Sequence, residues 1–371
     1  MNANTSRQSQ AEWEEGAQLF ARTARDLPTG RHQFHKERMM AQIHEMQTQM
    51  QTEERAAAKP TAPAKTRRLR LPRPAIALPA MAVAVAAAVV VGVVNSGADG
   101  VRDGGVATGP GLTTTVGAAT TKGVPQLLGQ ISLAAAEASR PALKPGQYVY
   151  IESRTADSFV KTVDDESTLA SHKLHTRQVW ESADGTKGWL IDPAVNDSPE
   201  GETLSLPDEQ GNTPQASLNG PSYDYLSKLT TDPDELLAKI YKETKGMGNS
   251  PDQQAFTTIG DLLGESYPPA ALYSALFKTA AKIPGVVVVN DAVDAVGRHG
   301  VAVARLDETS GEREEWIFDE KTHVFLGERS VQVKGTSGEG GLIKPGTVVF
   351  TSAIVNRAVV DGIKQTPSQS G

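Results

Sequence analysis

The chain of 371 residues has no cysteine. That removes disulfide staples, thiol nucleophiles and thiolate-held zinc from consideration. It also lacks an excess of positive charge. Lys and Arg number 37 against 44 Asp and Glu, a formal net charge of −7, whereas a nucleic-acid surface needs a basic face; no direct contact with nucleic acid is expected. No Gly-x-Ser-x-Gly elbow occurs, so the hydrolase nucleophile turn is missing. The Gly-rich run Ser337-Gly338-Glu339-Gly340-Gly341 has neither the phosphate-loop lysine nor a strand-to-helix setting, and is expected to be a loop.

The groups that remain for chemistry are scattered. His32 and His35 are three apart with His44 further on, and His172 and His175 are also three apart. The first set has no obvious third ligand, and the second falls in a strand-like stretch where the two side chains point to opposite faces. The carboxylate runs Asp164-Asp165-Glu166 and Glu312, Glu314, Glu315 read as solvated faces. The expectation is therefore no enzyme, no resident metal and no cofactor.

What the chain does have is one long apolar run. Residues 75–94, AIALPAMAVAVAAAVVVGVV, carry no charge and no hydrogen-bonding side chain. As a helix they span roughly 30 Å, the thickness of a bilayer core. Lys59, Lys65, Arg67, Arg68, Arg70 and Arg73 precede it with no acidic residue among them. That asymmetry predicts a signal-anchor in the cell membrane, N-terminus cytoplasmic and C-terminal bulk extracellular. The lipid bilayer is thus the first expected partner. More than seventy residues stand before the run, too many for a cleaved secretory leader.

The rest divides around that run. Residues 1–55 read as a cytoplasmic helical segment. Trp13, Ala17, Phe20 and Ala24 form one stripe, and Phe34, Met39 (or Met40), Ile43, Met46 and Met50 form a second. Phe34, Met39 and Ile43 are the candidates for contact with a partner. Residues 56–74 are a basic Pro/Ala linker, and 95–123 a Gly/Thr-rich flexible linker without large apolar groups.

Residues 124–361 form an extracytoplasmic α+β domain. It opens with a helix over 126–139. Strand-like stretches follow at 147–153 and 174–182, and Asp184-Gly185 turns the second into 187–191. A helical insert comes next. Asp232-Pro233-Asp234-Glu235 supplies an N-cap, a first-turn proline and acids, and Pro268-Pro269 opens a later helix. Strands resume at 286–289, 301–306, 314–318, 324–333 and 347–360. Helices grouped in the middle of closely spaced strands predict a curved antiparallel sheet with a helical insert, half-barrel-like. Residues 362–371 are a disordered tail. Trp180, Trp189 and Trp316 fall on strands, where they pack in the core or line the concave face of the sheet around an apolar ligand.

Several segments carry a family resemblance: LPTGRHQFHKERMMAQI, QYVYIESR, DGTKGW, LTTDPDELLAKIY, IPGVVVVNDAVDAVGRHGVAVAR and EEWIFDEKTHVFLGER. Over residues 13–371 the chain resembles an actinobacterial family of single-pass membrane proteins of unknown function, typically encoded beside extracytoplasmic-function sigma factors. The outer domain resembles, more loosely, the lipoprotein-carrier half-barrel. The resemblance implies a non-enzymatic envelope sensor or regulator akin to a membrane anti-sigma factor. Its partners would be a sigma factor inside and an apolar ligand or envelope protein outside. Zinc-binding anti-sigma domains use one His and two Cys, and this chain has no Cys. The alternative is an extracytoplasmic lipid- or peptide-binding module with a membrane anchor.

Overall fold

A computed structural model of the chain describes residues 106–163, 166–196, 198–208, 211–335 and 341–367. All of them belong to one of two compact units; the other unit, Phe34–Val93, lies outside the described residues.

In chain order the elements are β1 (Thr108–Pro110), β2 (Ala119–Thr120), α1 (Val124–Glu137), β3 (Tyr148–Val163), β4 (Glu166–His172), β5 (His175–Ser182), β6 (Gly188–Ile191) and β7 (Glu202–Thr203). Four helices follow: α2 (Tyr223–Leu226), α3 (Pro233–Glu243), α4 (Pro251–Glu265) and α5 (Ala270–Ala280). The chain then returns to strands with β8 (Val286–Val293), β9 (His299–Leu306), β10 (Glu312–Phe318), β11 (Phe325–Gln332) and β12 (Val348–Val360). The strands make one twelve-stranded antiparallel sheet in the order β2-β8-β9-β10-β11-β12-β3-β5-β6-β7, with β4 joining β3 to β1.

The helices start where their caps dictate. The Asp232 carboxylate accepts from the N–H groups of Asp234 and Glu235 at 2.9 and 3.0 Å, with Pro233 in the first turn of α3. Ser250 does the same for α4 through the Gln253 N–H at 3.1 Å. Leu236 and Ile240, four apart, put one face of α3 into the core. Phe256, Ile259 and Leu263 do so for α4. Together with α1 and α5 these helices cover one face of the sheet, packing on Val288, Val303, Trp316 and Phe318. Trp316 and Phe256 stack with ring centroids 3.8 Å apart and planes 6° from parallel. Gly260 permits that approach, since a Cβ there would sit 2.5 Å from Trp316 Nε1.

Because side chains alternate across a strand, the neighbours of Trp316 face the other way. Glu315 and Ile317 lie on that second face with Val289, Ala302 and Ala304. Residues 106–120 strap it, running from β1 on β4 to β2 on β8. The strap is tied by Leu112 N–H to Ser158 Oγ (3.0 Å), Val348 N–H to the Leu112 carbonyl (2.9 Å) and Arg313 Nη1 to the Gly117 carbonyl (3.0 Å). This part of the expected Gly/Thr linker has no core of its own; it borrows the sheet's.

Three expectations are corrected. The chain was expected to be α+β around one transmembrane helix, carrying a half-barrel-like sheet. The described residues instead form a large antiparallel sheet with few helices, none of them long and apolar enough to cross a membrane. The longest, α4, has 15 residues, about 22 Å, and carries Asp252, Asp261 and Glu265. No described helix therefore supports the membrane, single-pass and signal-anchor reading, and residues 75–94 lie outside the described residues. Glu314 and Glu315 do not lie on a solvated face: both are buried, Glu315 at 0% exposure. The expected tail is ordered as far as it is described, residues 362–367, and the Gln365 carbonyl accepts from Trp180 Nε1 at 2.6 Å.

Candidate functional site

Phe34, Met39 and Ile43 lie outside the described residues. The three strand tryptophans are split between the two faces. Trp316 is on the helix-covered face, its indole N–H 3.2 Å from Glu314 Oε1. Trp180 and Trp189 are paired across β5 and β6 on the opposite face, beside Tyr150 and Val360. Trp189 Nε1 donates to the Glu200 carbonyl at 2.8 Å, and the Lys364 ammonium sits 4.2 Å from its ring centroid. The chain's own C-terminal turn thus covers this pair, and none of the three tryptophans lines the cavities that follow.

The largest of these cavities, about 310 Å³, lies where the β5–β6 hairpin meets the loop over residues 204–222 and the last turns of α4. Glu181 reaches it from β5, Asp184 from the hairpin turn, and Asp261 and Glu265 from α4. Strand alternation explains Glu181: Trp180 takes the outer face, so its neighbour points at the helices. Burial, and then the charge of Asp184, pushes the Glu181 carboxyl up to about 8. Asp184 goes the other way. Its Oδ1 accepts from Ser182 Oγ at 2.6 Å, Thr186 N–H at 3.0 Å and Thr186 Oγ1 at 2.9 Å, which holds its carboxyl below the usual range.

Two cations share the rim. Lys187 lines the cavity, and Arg177 is directed to Asp192, Nε to Oδ2 at 3.6 Å. Glu181 and Glu265 also line a small gap of about 10 Å³ under Tyr223 and Tyr267. The acidic pair therefore stands where two voids meet.

A second constellation lies nearby and resembles a catalytic relay only in composition. His175 Nε2 is 3.1 Å from both Thr155 Oγ1 and Asp192 Oδ1, and its Nδ1 is 3.0 Å from the Lys173 carbonyl. In a nucleophile relay the hydroxyl and the carboxylate occupy different ring nitrogens. Here they share one, so the group holds β5 to the segment after β6. Burial, the largest single influence on Asp192, pushes its carboxyl up. The His175 hydrogen bond and the Arg177 charge outweigh it and hold it below the usual range. His172 pairs separately with Asp157, Nδ1 to Oδ1 at 2.9 Å. Among the described residues no cluster of three His, Asp or Glu side chains is placed to hold a metal ion.

Sequence reasoning missed Glu181 and Glu265, which lie 84 residues apart on different elements. The available signal was the acid on the inward phase of LHTRQVWES. A scan against protein-family models and a search of curated proteins found no match to the chain.

Proposed function

We propose that the protein is a non-enzymatic binding module that takes a small organic amine in the cavity between the β5–β6 hairpin and α4. The observation that supports this reading best is the site's charge. Four carboxyl side chains meet two cations there, and one of those cations, Arg177, is directed to Asp192. A carboxyl group held neutral by burial is poised to ionise when a cation arrives, because the ligand's charge offsets the desolvation that raised it. The cavity volume, at the lower end of ligand pockets of roughly 300–1,000 Å³, limits the ligand to a small molecule or one side chain of a peptide.

Calorimetric titration of the full chain with pentylamine, beside pentanol as the neutral isostere, tests this. Saturable pentylamine binding that tightens from pH 6 to pH 9, and that Ala216→Trp abolishes by filling the cavity, is the expected result. Equal binding of pentanol, or no saturable binding, overturns the reading. A regulatory output, with residues 1–55 holding an extracytoplasmic-function sigma factor, rests on the apolar stripes of that segment and on the family resemblance. Retention of a sigma factor by the full chain, lost on Phe34→Asp and Ile43→Asp, tests it.

A further inference from the structure

On the other side of Tyr267 lies a second cavity, about 230 Å³, of opposite character. Ala134 of α1, Ala138 just after it, Val324, Phe325 and Ile354 give it apolar walls; Tyr267 and Tyr273 bring hydroxyls, and Arg140 and Arg357 bring charge. The two arginines come from chain positions 217 apart, one after α1 and one on β12. The Arg140 guanidinium lies 3.7 Å from the Tyr273 ring centroid and 5.1 Å from that of Tyr267, and its Nη1 donates to the Pro268 carbonyl at 3.2 Å. Arg357 Nη2 donates to the Leu263 and Gly264 carbonyls at 2.6 and 3.0 Å.

Helix capping accounts for part of this arrangement. Those carbonyls are at the C-terminal end of α4, where cations and donors are favoured. It does not account for the rest. Arg357 Nε is buried with no hydrogen-bond partner, and among the described residues neither guanidinium joins an ion pair with a carboxylate. Burial, and then the charge of Arg140, brings the Arg357 guanidinium down to about 10, and burial lowers Arg140 as well. Two like charges side by side at an apolar cavity cost free energy, and an anion seated between them relieves it. A planar fork of guanidinium donors matches a carboxylate.

We propose that this cavity is a binding site for a small carboxylate with a short apolar body, its oxygens held by Arg140 and Arg357. The apolar walls favour that ligand over a bare inorganic anion, and the volume keeps the body short. The site is separate from the amine cavity, and the two proposals stand or fall independently.

Calorimetry on the full chain tests it with three probes: hexanoate, its neutral isostere hexanamide, and inorganic phosphate. Hexanoate is expected to bind saturably at one site, with hexanamide weaker by about tenfold or more, as loss of a charged hydrogen bond implies, and phosphate weaker by a similar factor because it brings no apolar body to the cavity walls. Arg140→Gln, on the half-buried partner, should weaken hexanoate by a similar factor. Ala134→Phe, which keeps both charges and fills the cavity, should abolish binding. Absence of saturable hexanoate binding, equal binding of hexanamide, or retention of binding in both variants overturns the proposal. Phosphate binding as tight as hexanoate overturns the carboxylate assignment.

Discussion

Replacing Glu315 by Gln keeps the shape of a fully buried side chain and removes the negative charge that two buried guanidiniums share. Glu315 Oε1 is 2.7 Å from Arg313 Nη2, and its Oε2 is 2.8 Å from Arg329 Nε; side-chain exposures are 0% for the acid and 4% and 5% for the arginines. The arginines' other bonds go to neutral groups, the Gly117 and Val293 carbonyls and Thr114 Oγ1. Breaking a buried pair by removing one partner costs about 3–5 kcal/mol. In a domain of this size each kcal/mol is worth about 2–4 °C, so the midpoint should fall by roughly 6–20 °C. The triple variant Arg313→Met, Glu315→Leu, Arg329→Met should lose less than Glu315→Gln alone, since no charge is left unpaired. Thermal unfolding followed by tryptophan fluorescence reads the midpoint of both variants, and guanidinium chloride unfolding reads their stability. A Glu315→Gln stability within about 1 kcal/mol of the parent would refute the reasoning, because it would mean solvent reaches the strapped face of the sheet.

Other outcomes follow from single contacts. The Glu181 carboxyl is raised to about 8, so the folded state holds a proton that the unfolded chain releases above its ordinary value near 4.5. Stability should therefore fall as pH rises between those values and level off above about 8, by up to about 5 kcal/mol in all; Glu181→Gln should flatten that slope in unfolding titrations at pH 5, 7 and 9. Gly260→Ala would put a Cβ 2.5 Å from Trp316 Nε1 and 2.7 Å from Glu314 Oε1, and should cost about 1–3 kcal/mol in denaturant unfolding with a change in near-ultraviolet tryptophan dichroism. Asp232→Ala removes the acceptor of two first-turn N–H groups of α3 and should cost about 1 kcal/mol, with Asp232→Asn recovering most of it.

Elements whose signals are local were legible in the sequence. Asp232-Pro233 marks a helix start by a cap that needs no tertiary partner, and the β-branched run at 286–289 lies within β8. Elements that lean on distant residues were not. Residues 154–172 look polar because one side of the β3–β4 hairpin faces the strap, which supplies Leu112 N–H to Ser158 and the Pro110 carbonyl to Ser171. The strap itself has the composition of a linker, because its stability comes from a sheet encoded later in the chain. Glu315 looked solvated within a run of acids, yet Arg313 beside it and Trp316-Ile317 after it mark an inward phase. The candidate sites were the least legible. Each gathers side chains from separate elements around one cavity, Glu181 and Glu265 at one and Arg140 and Arg357 at the other, and no spacing in the sequence records it.

The most direct measurement of the central claim counts protons. Pentylamine is titrated into the full chain at pH 7 in two buffers of different ionisation enthalpy, and the difference in heat gives the protons released on binding. If the amine enters the β5–β6 cavity and draws the neutral Glu181 carboxyl into its charged form, close to one proton leaves per ligand bound, and none leaves in Glu181→Gln. Binding with no proton release, or release that persists in Glu181→Gln, would contradict the placement of the ligand at this site.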